Sequence, residues 1–325
     1  MTKKAVFVIV CWNNQDLLEE CLRSIHNQTH DNYKTILVDN GSEDDSVATA
    51  RRHMPDIDII EAGENLGFAK GNNLGIAHAL KDSETAYVAL LNTDARLEPK
   101  WLEIVTTFCD GKPRAACLQG TTLEYYNHDI IDSTHIYVAR NSQATQGSWR
   151  DPYYAEIGPK KVFGVNAAAA VLTRSFLEAQ PYGHEVFDET MFMYLEDVDL
   201  AARATVMGWD NYLVPGARAY HMGSASSGKN PGLSLYLTFR NNLGMVIKNF
   251  PARTALKLLF KMPRSDFSTF KHLRRQGKQQ ASWKIVKGRL AGLVYVPVFL
   301  WKRRRLSKLR TIDRDYLWQL MRKGY

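Results

Sequence analysis

Four strand-like runs, at 5–11, 35–38, 57–60 and 87–91, recur along the first third of the chain, and the first is continuously apolar and rich in β-branched residues. An unbroken apolar run is the pattern of a strand covered on both faces, because a solvated face would show as alternation. Between the runs, apolar residues return at helical spacing. Leu17, Leu18, Cys21, Leu22 and Ile25 follow the first run, and residues 47–53 follow the second. Gly67, Gly71 and Gly75, four apart, mark a small-residue helix after the third. The fourth leads into Leu97-Glu98-Pro99-Lys100-Trp101, which opens another helix with proline near its start. Strands alternating with helices of this length predict an α/β fold, a mostly parallel sheet flanked by helices. With 45% hydrophobic and 11% aromatic residues the chain can bury a sizeable core, which excludes global disorder. Its 325 residues fit one large α/β domain or a domain with an appendage.

In sheets of this kind ligands sit beyond the carboxyl ends of the strands. The second run ends in Asp39-Asn40-Gly41-Ser42 and the fourth in Asn92-Thr93-Asp94, so each places a carboxylate on a strand-end loop. Asp-Asn-Gly-Ser is also ordinary turn chemistry. A third acidic feature weighs against that plainer reading. Glu196-Asp197-Val198-Asp199 packs three carboxylates into four positions, directly after Met191-Phe192-Met193. Like charges this close resist each other's ionisation. A cluster of this kind serves a cation, a proton transfer, or a helix N-terminus whose free N–H groups attract anions.

From Arg114 to Lys161 the pattern weakens, with short strands expected at 115–118 and 136–138. Polar aromatic loops, Tyr125-Tyr126-Asn127-His128 and Trp149-Arg150-Asp151-Pro152-Tyr153-Tyr154, either line a substrate cleft or cover the surface. Residues 162–164 and 167–172 return to buried character. Residues 212–214 and 218–220 read as strands, the latter ending in His221, and 235–248 as a helix containing Arg240-Asn241-Asn242.

Charge divides the chain. Residues 1–250 carry 22 Lys and Arg against 31 Asp and Glu, a net of −9, whereas residues 251–325 carry 20 against 3, a net of +17. The division implies a body at 1–250 and a basic, helical tail at 251–325 that contacts something anionic. Inside the tail, residues 290–301 are nearly all apolar but number only 12. As a helix they reach about 18 Å against a hydrocarbon core of ~30 Å, and Pro297 interrupts them. Lys302-Arg303-Arg304-Arg305 follows, and Tyr295 and Trp301 suit a headgroup boundary, so an interfacial anchor on an anionic membrane surface is expected rather than a span. No run of 18 apolar residues exists. The apolar start is too short for a signal peptide and leads into Asn13-Asn14-Gln15-Asp16 rather than a cleavage site. Cys11, Cys21, Cys109 and Cys117 show no C-x-x-C spacing and read as buried thiols of a reducing compartment.

Taken together, Trp12-Asn13, Val38-Asp39-Asn40-Gly41-Ser42, Glu64-Asn65-Leu66-Gly67-Phe68-Ala69-Lys70-Gly71-Asn72-Asn73, Leu91-Asn92-Thr93-Asp94, Glu196-Asp197-Val198-Asp199 and His221 resemble family 2 glycosyltransferases, closest to the bacterial rhamnosyltransferase-like enzymes, over residues 4–245. The resemblance implies the Rossmann-like GT-A fold and inverting sugar transfer from a nucleotide-diphosphate donor to a glycan or lipid-linked acceptor. The donor it favours is dTDP-L-rhamnose, with a UDP-hexose or UDP-N-acetylhexosamine as competitor. It implies Asp197 as catalytic base, with Glu196 and Asp199 as supports or acceptor contacts. Asp39 would accept a hydrogen bond from the pyrimidine, while Asn65, Gly67 and Lys70 lie along the nucleotide and Arg240 reaches a phosphate. Asp94 would hold Mg²⁺ or Mn²⁺ on the diphosphate with His221, whose following Gly223-Ser224 also matches. Here the sequence departs from the family pattern, because Asn92 replaces the first acid of D-x-D. It also implies work in cell-surface polysaccharide synthesis at the cytoplasmic face of the membrane. An oxidoreductase would need G-x-G-x-x-G where Trp12-Asn13-Asn14-Gln15 stands. A non-enzymatic protein binding an anionic polymer such as nucleic acid would explain the tail but not the acidic strand ends.

Overall fold

Hydrophobic runs too long to leave one face in water become the middle of one sheet. The computed structural model describes residues 2–153, 158–223, 231–313 and 316–321. Tyr154 and Ser224 lie outside them. The chain opens as β1 (Lys4–Cys11), α1 (Gln15–His26), β2 (Tyr33–Asp39), α2 (Ser46–His53), β3 (Asp58–Glu61), α3 (Gly67–Ala79) and β4 (Thr85–Leu91). It continues through β5 (Ala95–Leu97), α4 (Trp101–Cys109), β6 (Ala115–Glu124), β7 (Ile131–Ser133), β8 (Ile136–Val138), β9 (Ala144–Gln146), β10 (Lys160–Val162), β11 (Ala169–Thr173) and α5 (Arg174–Glu178). Then come α6 (Glu196–Val206), β12 (Asp210–His221), α7 (Pro231–Asn249), α8 (Ala252–Arg275), α9 (Gln279–Val294), α10 (Val296–Ser307) and α11 (Tyr316–Leu320).

The main sheet runs in the order β10-β12-β6-β11-β4-β1-β2-β3. β1 is parallel to β2 and β4, and β2 to β3, while β11 runs antiparallel between β4 and β6. The chain moves to one side of β1 for β2 and β3 and to the other for β4, so a crevice opens at the carboxyl ends of β1 and β4. β12 is parallel to β6, which brings His221 and Glu124 to the same edge. The two short strands read around 212–214 and 218–220 are one 12-residue strand, because its register with β6 shifts between Leu213 and Arg218 and absorbs Pro215-Gly216 as a bulge. β6 runs to Glu124, well beyond the expected Leu118.

One face of the sheet packs Leu18, Leu22, Trp101 and Val105 of α1 and α4, and the other packs Ile76, Phe176 and Leu200 of α3, α5 and α6. A third cluster joins α6 to the C-terminal helices through Val198, Met245, Phe250, Leu258 and Leu306. The core therefore continues across residue 250. All four cysteines are buried and free, and burial pushes their thiols up, Cys11 to about 11, so none is a nucleophile at neutral pH.

Charge enters this third core as a closed network. Lys302 of α10 donates to Asp188 at 2.7 Å and to Glu185 at 2.5 Å. Lys248 of α7 pairs with the same Asp188 and, at 2.9 Å, with Asp199 of α6. Asn249 donates to Asp199 at 2.6 Å, and Arg203 lies 3.5 Å from its other oxygen. Arg303, the next residue of the basic run, donates to the carbonyls of Ile247 and Phe250. Half of Lys302-Arg303-Arg304-Arg305 thus turns inward, so the whole run is not available to an anionic membrane surface as expected. The apolar run 290–301 is interrupted as expected, two residues before Pro297: α9 stops at Val294, and Pro297 lies in the first turn of α10.

Burial alone would raise the Asp188 carboxyl, but Lys248 and Lys302 overcome it and hold the group well below the usual carboxylate range. Its contribution to stability is complete above the unfolded carboxyl's pKa, about 4, and is lost as the pH falls from there toward the lower folded value. Removing one buried cation leaves its carboxylates undercompensated. Lys302→Met is accordingly expected to lower unfolding free energy at pH 7 by about 3 kcal/mol in denaturant titrations. A loss below about 0.5 kcal/mol, the range of an ordinary surface change, would show that α10 is not anchored here.

Candidate active site

At the carboxyl edge, short polar side chains tie the strand-end loops to one another. Asn40, directly after β2, accepts from the Leu66 N–H at 3.0 Å and donates to the Gly67 carbonyl at 3.3 Å and to Asn65 Oδ1 at 3.2 Å. Asn65 Oδ1 also accepts from the Gly67 N–H at 2.9 Å. Gly41 has φ +76° and lies so close to Glu64 that a Cβ would sit 2.8 Å from its backbone. Across the crevice, Asn14 Nδ2 donates to Thr93 Oγ1 at 3.1 Å, joining the loops after β1 and β4.

The carboxylate cluster arrives on a strained approach. Phe192, Tyr194 and Leu195 have φ of 63°, 68° and 68°, a left-handed backbone that bulky side chains rarely adopt. α7 holds them. Asn241, buried in that helix, donates to the carbonyls of Met191 and Met193 at 2.9 Å and of Tyr194 at 2.8 Å. Arg240 donates to the carbonyls of Thr190 and Met191 at 2.9 and 2.8 Å. From α3, the Ala69 N–H donates to the Phe192 carbonyl at 3.0 Å. Gly67, with φ +77°, lies beneath the same residue, and a Cβ there would sit 2.4 Å from the Phe192 ring. The glycine thus makes room for Phe192.

α6 then starts at Glu196 with the acids in its first turn. The helix N-terminus and the buried cavity share this cluster. Burial raises the Asp197 pKa; N–H groups of Val198 and Ala167 pull against that, and the balance stands at about 6. Burial, then the neighbouring Asp197, raises Glu196 well above the ordinary carboxyl value and so favours its neutral form. Its Oε2 is buried and meets no hydrogen-bond partner among the described residues. Two adjacent carboxyls, both raised by burial, on the wall of a cavity are the pattern of a functional-site candidate.

On the opposite side His221 stands between two acids, its Nδ1 3.0 Å from Asp132 and its Nε2 3.4 Å from Asp94. Burial would lower the imidazole pKa, but the bonds to Asp132 and Asp94 outweigh it and push it up to about 10. No group of three His, Cys, Asp or Glu forms a ligand set among the described residues. With a cation displacing the Nε2 proton, Asp94 and His221 would supply one oxygen and one nitrogen to a divalent ion that takes its other ligands from a diphosphate. Asp132 grips the far ring nitrogen, as a partner that orients a metal-binding histidine does.

These groups line one cavity of about 330 Å³. Of the residues singled out from sequence, Asn65, Gly67, Asn92, Asp94, Glu196, Asp197 and His221 border it. Asp39 ends β2 beside it, accepting from the Ser42 N–H at 3.2 Å. The structure does not bring Lys70, Arg240 or Asp199 to the cavity. Lys70 is exposed on α3; Arg240 is spent on the loop carbonyls; Asp199 lies two residues, hence about 200° of helix, from Asp197 and faces the buried lysine. Sequence reasoning missed Asn14, Gln146 and Asn166 on the wall, Asp132 behind His221, and Asn241 behind the loop. Only Asn241 carried a signal, its place in the conspicuous Arg240-Asn241-Asn242.

The profile described as "Glycosyl transferase family 2" matches residues 6–176. Over 253 residues the chain is 26% identical to the N-acetylglucosaminyl-diphospho-decaprenol L-rhamnosyltransferase of Mycobacterium tuberculosis, covering 72% of this chain and 81% of that protein. It is 24% identical over 237 residues to the rhamnosyltransferase WbbL of Escherichia coli, covering 66% and 81%. The mannosyltransferase PcManGT of Pyrobaculum calidifontis, solved with GDP-Man and Mn²⁺, superposes with a TM-score of 0.55 at 17% identity, covering 94% of this chain and 85% of that one. The last likeness shows that the two share the GT-A fold.

The two N–H donors of the Asn241 amide, shared among three carbonyls and worth about 1 kcal/mol each, tether the strained loop. Asn241→Leu is expected to lose about 2–4 kcal/mol in thermal or chemical melts, together with most catalytic turnover. Unchanged stability would contradict the clamp.

Proposed function

The chain belongs to glycosyl transferase family 2 and is a glycosyltransferase, and from that premise we propose that it transfers L-rhamnose from dTDP-L-rhamnose, with inversion, to a hydroxyl of a lipid-linked saccharide. The observation that carries the reading is the placement of Asp197, near neutrality in its pKa, on the wall facing Asp94 and His221 across one cavity. The mycobacterial relative's name, which specifies both L-rhamnose and a lipid-linked saccharide, supports the choice of sugar and acceptor.

In this reading Asp197 Oδ takes the proton of the acceptor hydroxyl as its oxygen attacks the anomeric carbon. The bond from that carbon to the diphosphate breaks on the far side, and its electron pair leaves with the nucleoside diphosphate. Glu196, protonated and with an unsatisfied oxygen, donates to a sugar or acceptor hydroxyl. Asp39 accepts from the pyrimidine, and Asn65, Gly67 and Asn92 follow the nucleotide toward the diphosphate. A divalent cation, Mg²⁺ or Mn²⁺, held by Asp94 and His221 would offset charge on the departing diphosphate.

We further propose that the C-terminal helices rest on an anionic membrane from the cytoplasmic side. No helix among the described residues is long and apolar enough to cross one. α9 buries Ser282, Ile285, Gly288 and Gly292, yet its opposite stripe of Trp283, Leu290, Leu293 and Val294 stays exposed. Phe260 of α8 and Trp301 of α10 are exposed as well, Arg305 lies over the Trp301 ring, and Arg304 is exposed beside it in sequence. Apolar insertion beside basic groups, each adding about 1 kcal/mol near anionic lipid, is the chemistry of an interfacial anchor.

Three experiments test these readings. Asp197→Asn should keep donor affinity in calorimetry and lose transfer by about 10²-fold or more. The wild-type rate should rise about tenfold per pH unit below about 6 and level off above it, because the ionised form is the base. Near-normal turnover in the variant would remove Asp197 from the role. For the membrane, Leu293→Glu with Val294→Glu should abolish flotation with phosphatidylglycerol vesicles while leaving the fold intact; equal flotation of wild type and variant would refute the anchor. Truncation at residue 250 is unsuitable, since it cuts the third core.

A further inference from the structure

A second cavity, of about 490 Å³, opens on the far side of His221 and shares that residue and Gln146 with the first. We propose that it is a saccharide subsite, holding a sugar ring of the acceptor next to the one that reacts. The proposal deepens the function proposed above and rests on it.

The lining has the chemistry of carbohydrate recognition. A pyranose presents apolar C–H faces and a rim of hydroxyls, so it calls for a flat apolar surface beside planar polar groups. Trp149 and Tyr126 are 54% and 84% exposed at the cavity, large aromatic surfaces with no core to join. Arg150, whose guanidinium lies 4.8 Å from the Trp149 ring centroid, stands with Gln146 and Glu124 around them. These are donors and acceptors of the kind that fork onto neighbouring hydroxyls.

The loop that presents Trp149 is set in place rather than loose. Ser148 and Arg150 have φ of 57° and 63°, a conformation that persists only where surroundings impose it. Here the surroundings are identifiable. The Gly147 N–H donates to the His135 carbonyl at 2.6 Å, and the Thr134 N–H donates back to the Gly147 carbonyl at 3.1 Å. The Arg150 N–H donates to the Ile131 carbonyl at 2.8 Å, and the Ile131 N–H to the Asp151 carbonyl at 2.9 Å. Bonds on both sides of Trp149 thus pin the loop to the edge of β7. An exposed indole on a strained, fixed backbone beside the reacting centre has its orientation prepared for a ligand. The shared wall at Gln146 and His221 lets one oligosaccharide span both cavities.

Saturation-transfer NMR of the full chain with methyl β-glycosides of glucose, galactose and N-acetylglucosamine tests this, with dTDP and UDP binding measured in parallel by calorimetry. At least one glycoside should bind wild type. Trp149→Ala, a change at an exposed site, should weaken it about tenfold, Tyr126→Ala should weaken it less, and Trp149→Phe should restore part of the affinity. Nucleotide binding should be unchanged in all three. Glycoside binding that is equal in wild type and both alanine variants, or absent from wild type, overturns the subsite while leaving the donor reading intact. Failure of both nucleotides to bind wild type would instead overturn the donor reading, and the glycoside comparison would still decide the subsite.

Discussion

Three bulky residues in left-handed conformation within four positions, Phe192, Tyr194 and Leu195, are the constraint on which the site depends. At about 1–3 kcal/mol each they would relax if left alone, and the chain entering α6 would swing Asp197 away from the cavity. What opposes relaxation is a set of hydrogen bonds of comparable total strength. Asn241 and Arg240 grip five carbonyl contacts from one side, and the Ala69 N–H takes a sixth from the other. Gly67 is part of the same device, because only a residue without a side chain leaves room for the Phe192 ring. The Asp197 carboxylate is positioned by helices that precede and follow it at long range, and not by its own helix alone.

That arrangement makes α7 the hinge between two halves of the molecule. One turn of it holds the loop; its end supplies Lys248 and Asn249 to the buried charge network, which Lys302 closes from α10. A buried network of this kind is a weak source of net stability against an apolar core of the same size, yet it is costly to break by removing one member. Its geometry ties α6, α7 and α10 into one register. The contrast between acidic body and basic tail is therefore partly internal complementarity, in which tail cations answer body carboxylates. The remaining basic groups and the exposed apolar stripe face outward.

The strand ends were legible because their signal is local: a continuous apolar run stops and a carboxylate or amide follows. Asp94 borders the cavity for that reason, His221 because it ends a strand itself, Asp197 because the strained loop delivers it to the start of α6, and Asn65 and Gly67 because Asn40 draws their turn onto β2. Helical phase was harder to use. Glu196, Asp197 and Asp199 look alike in sequence, but α6 turns the last of them into the core beside Lys248. Arg240 reads as a phosphate contact until its neighbours are known, and those neighbours are carbonyls about fifty positions away. Asp132 left no local trace, since it matters only through a histidine on another strand. In the tail, the apolar run at 290–301 was legible as too short to span, but its burial of Lys302 and its break at Tyr295 follow from packing on α7. Long-range polar partners are what the sequence conceals here.

The central claim is a single displacement driven by one carboxylate base, with no sugar held covalently in between. It fixes the stereochemistry. Proton NMR of the first product formed, before any spontaneous equilibration, reads the configuration at its anomeric carbon directly. The account predicts the configuration opposite to that of the donor. A product that retains the donor's configuration would require a second displacement or an intermediate on the enzyme, and would contradict the role given to Asp197.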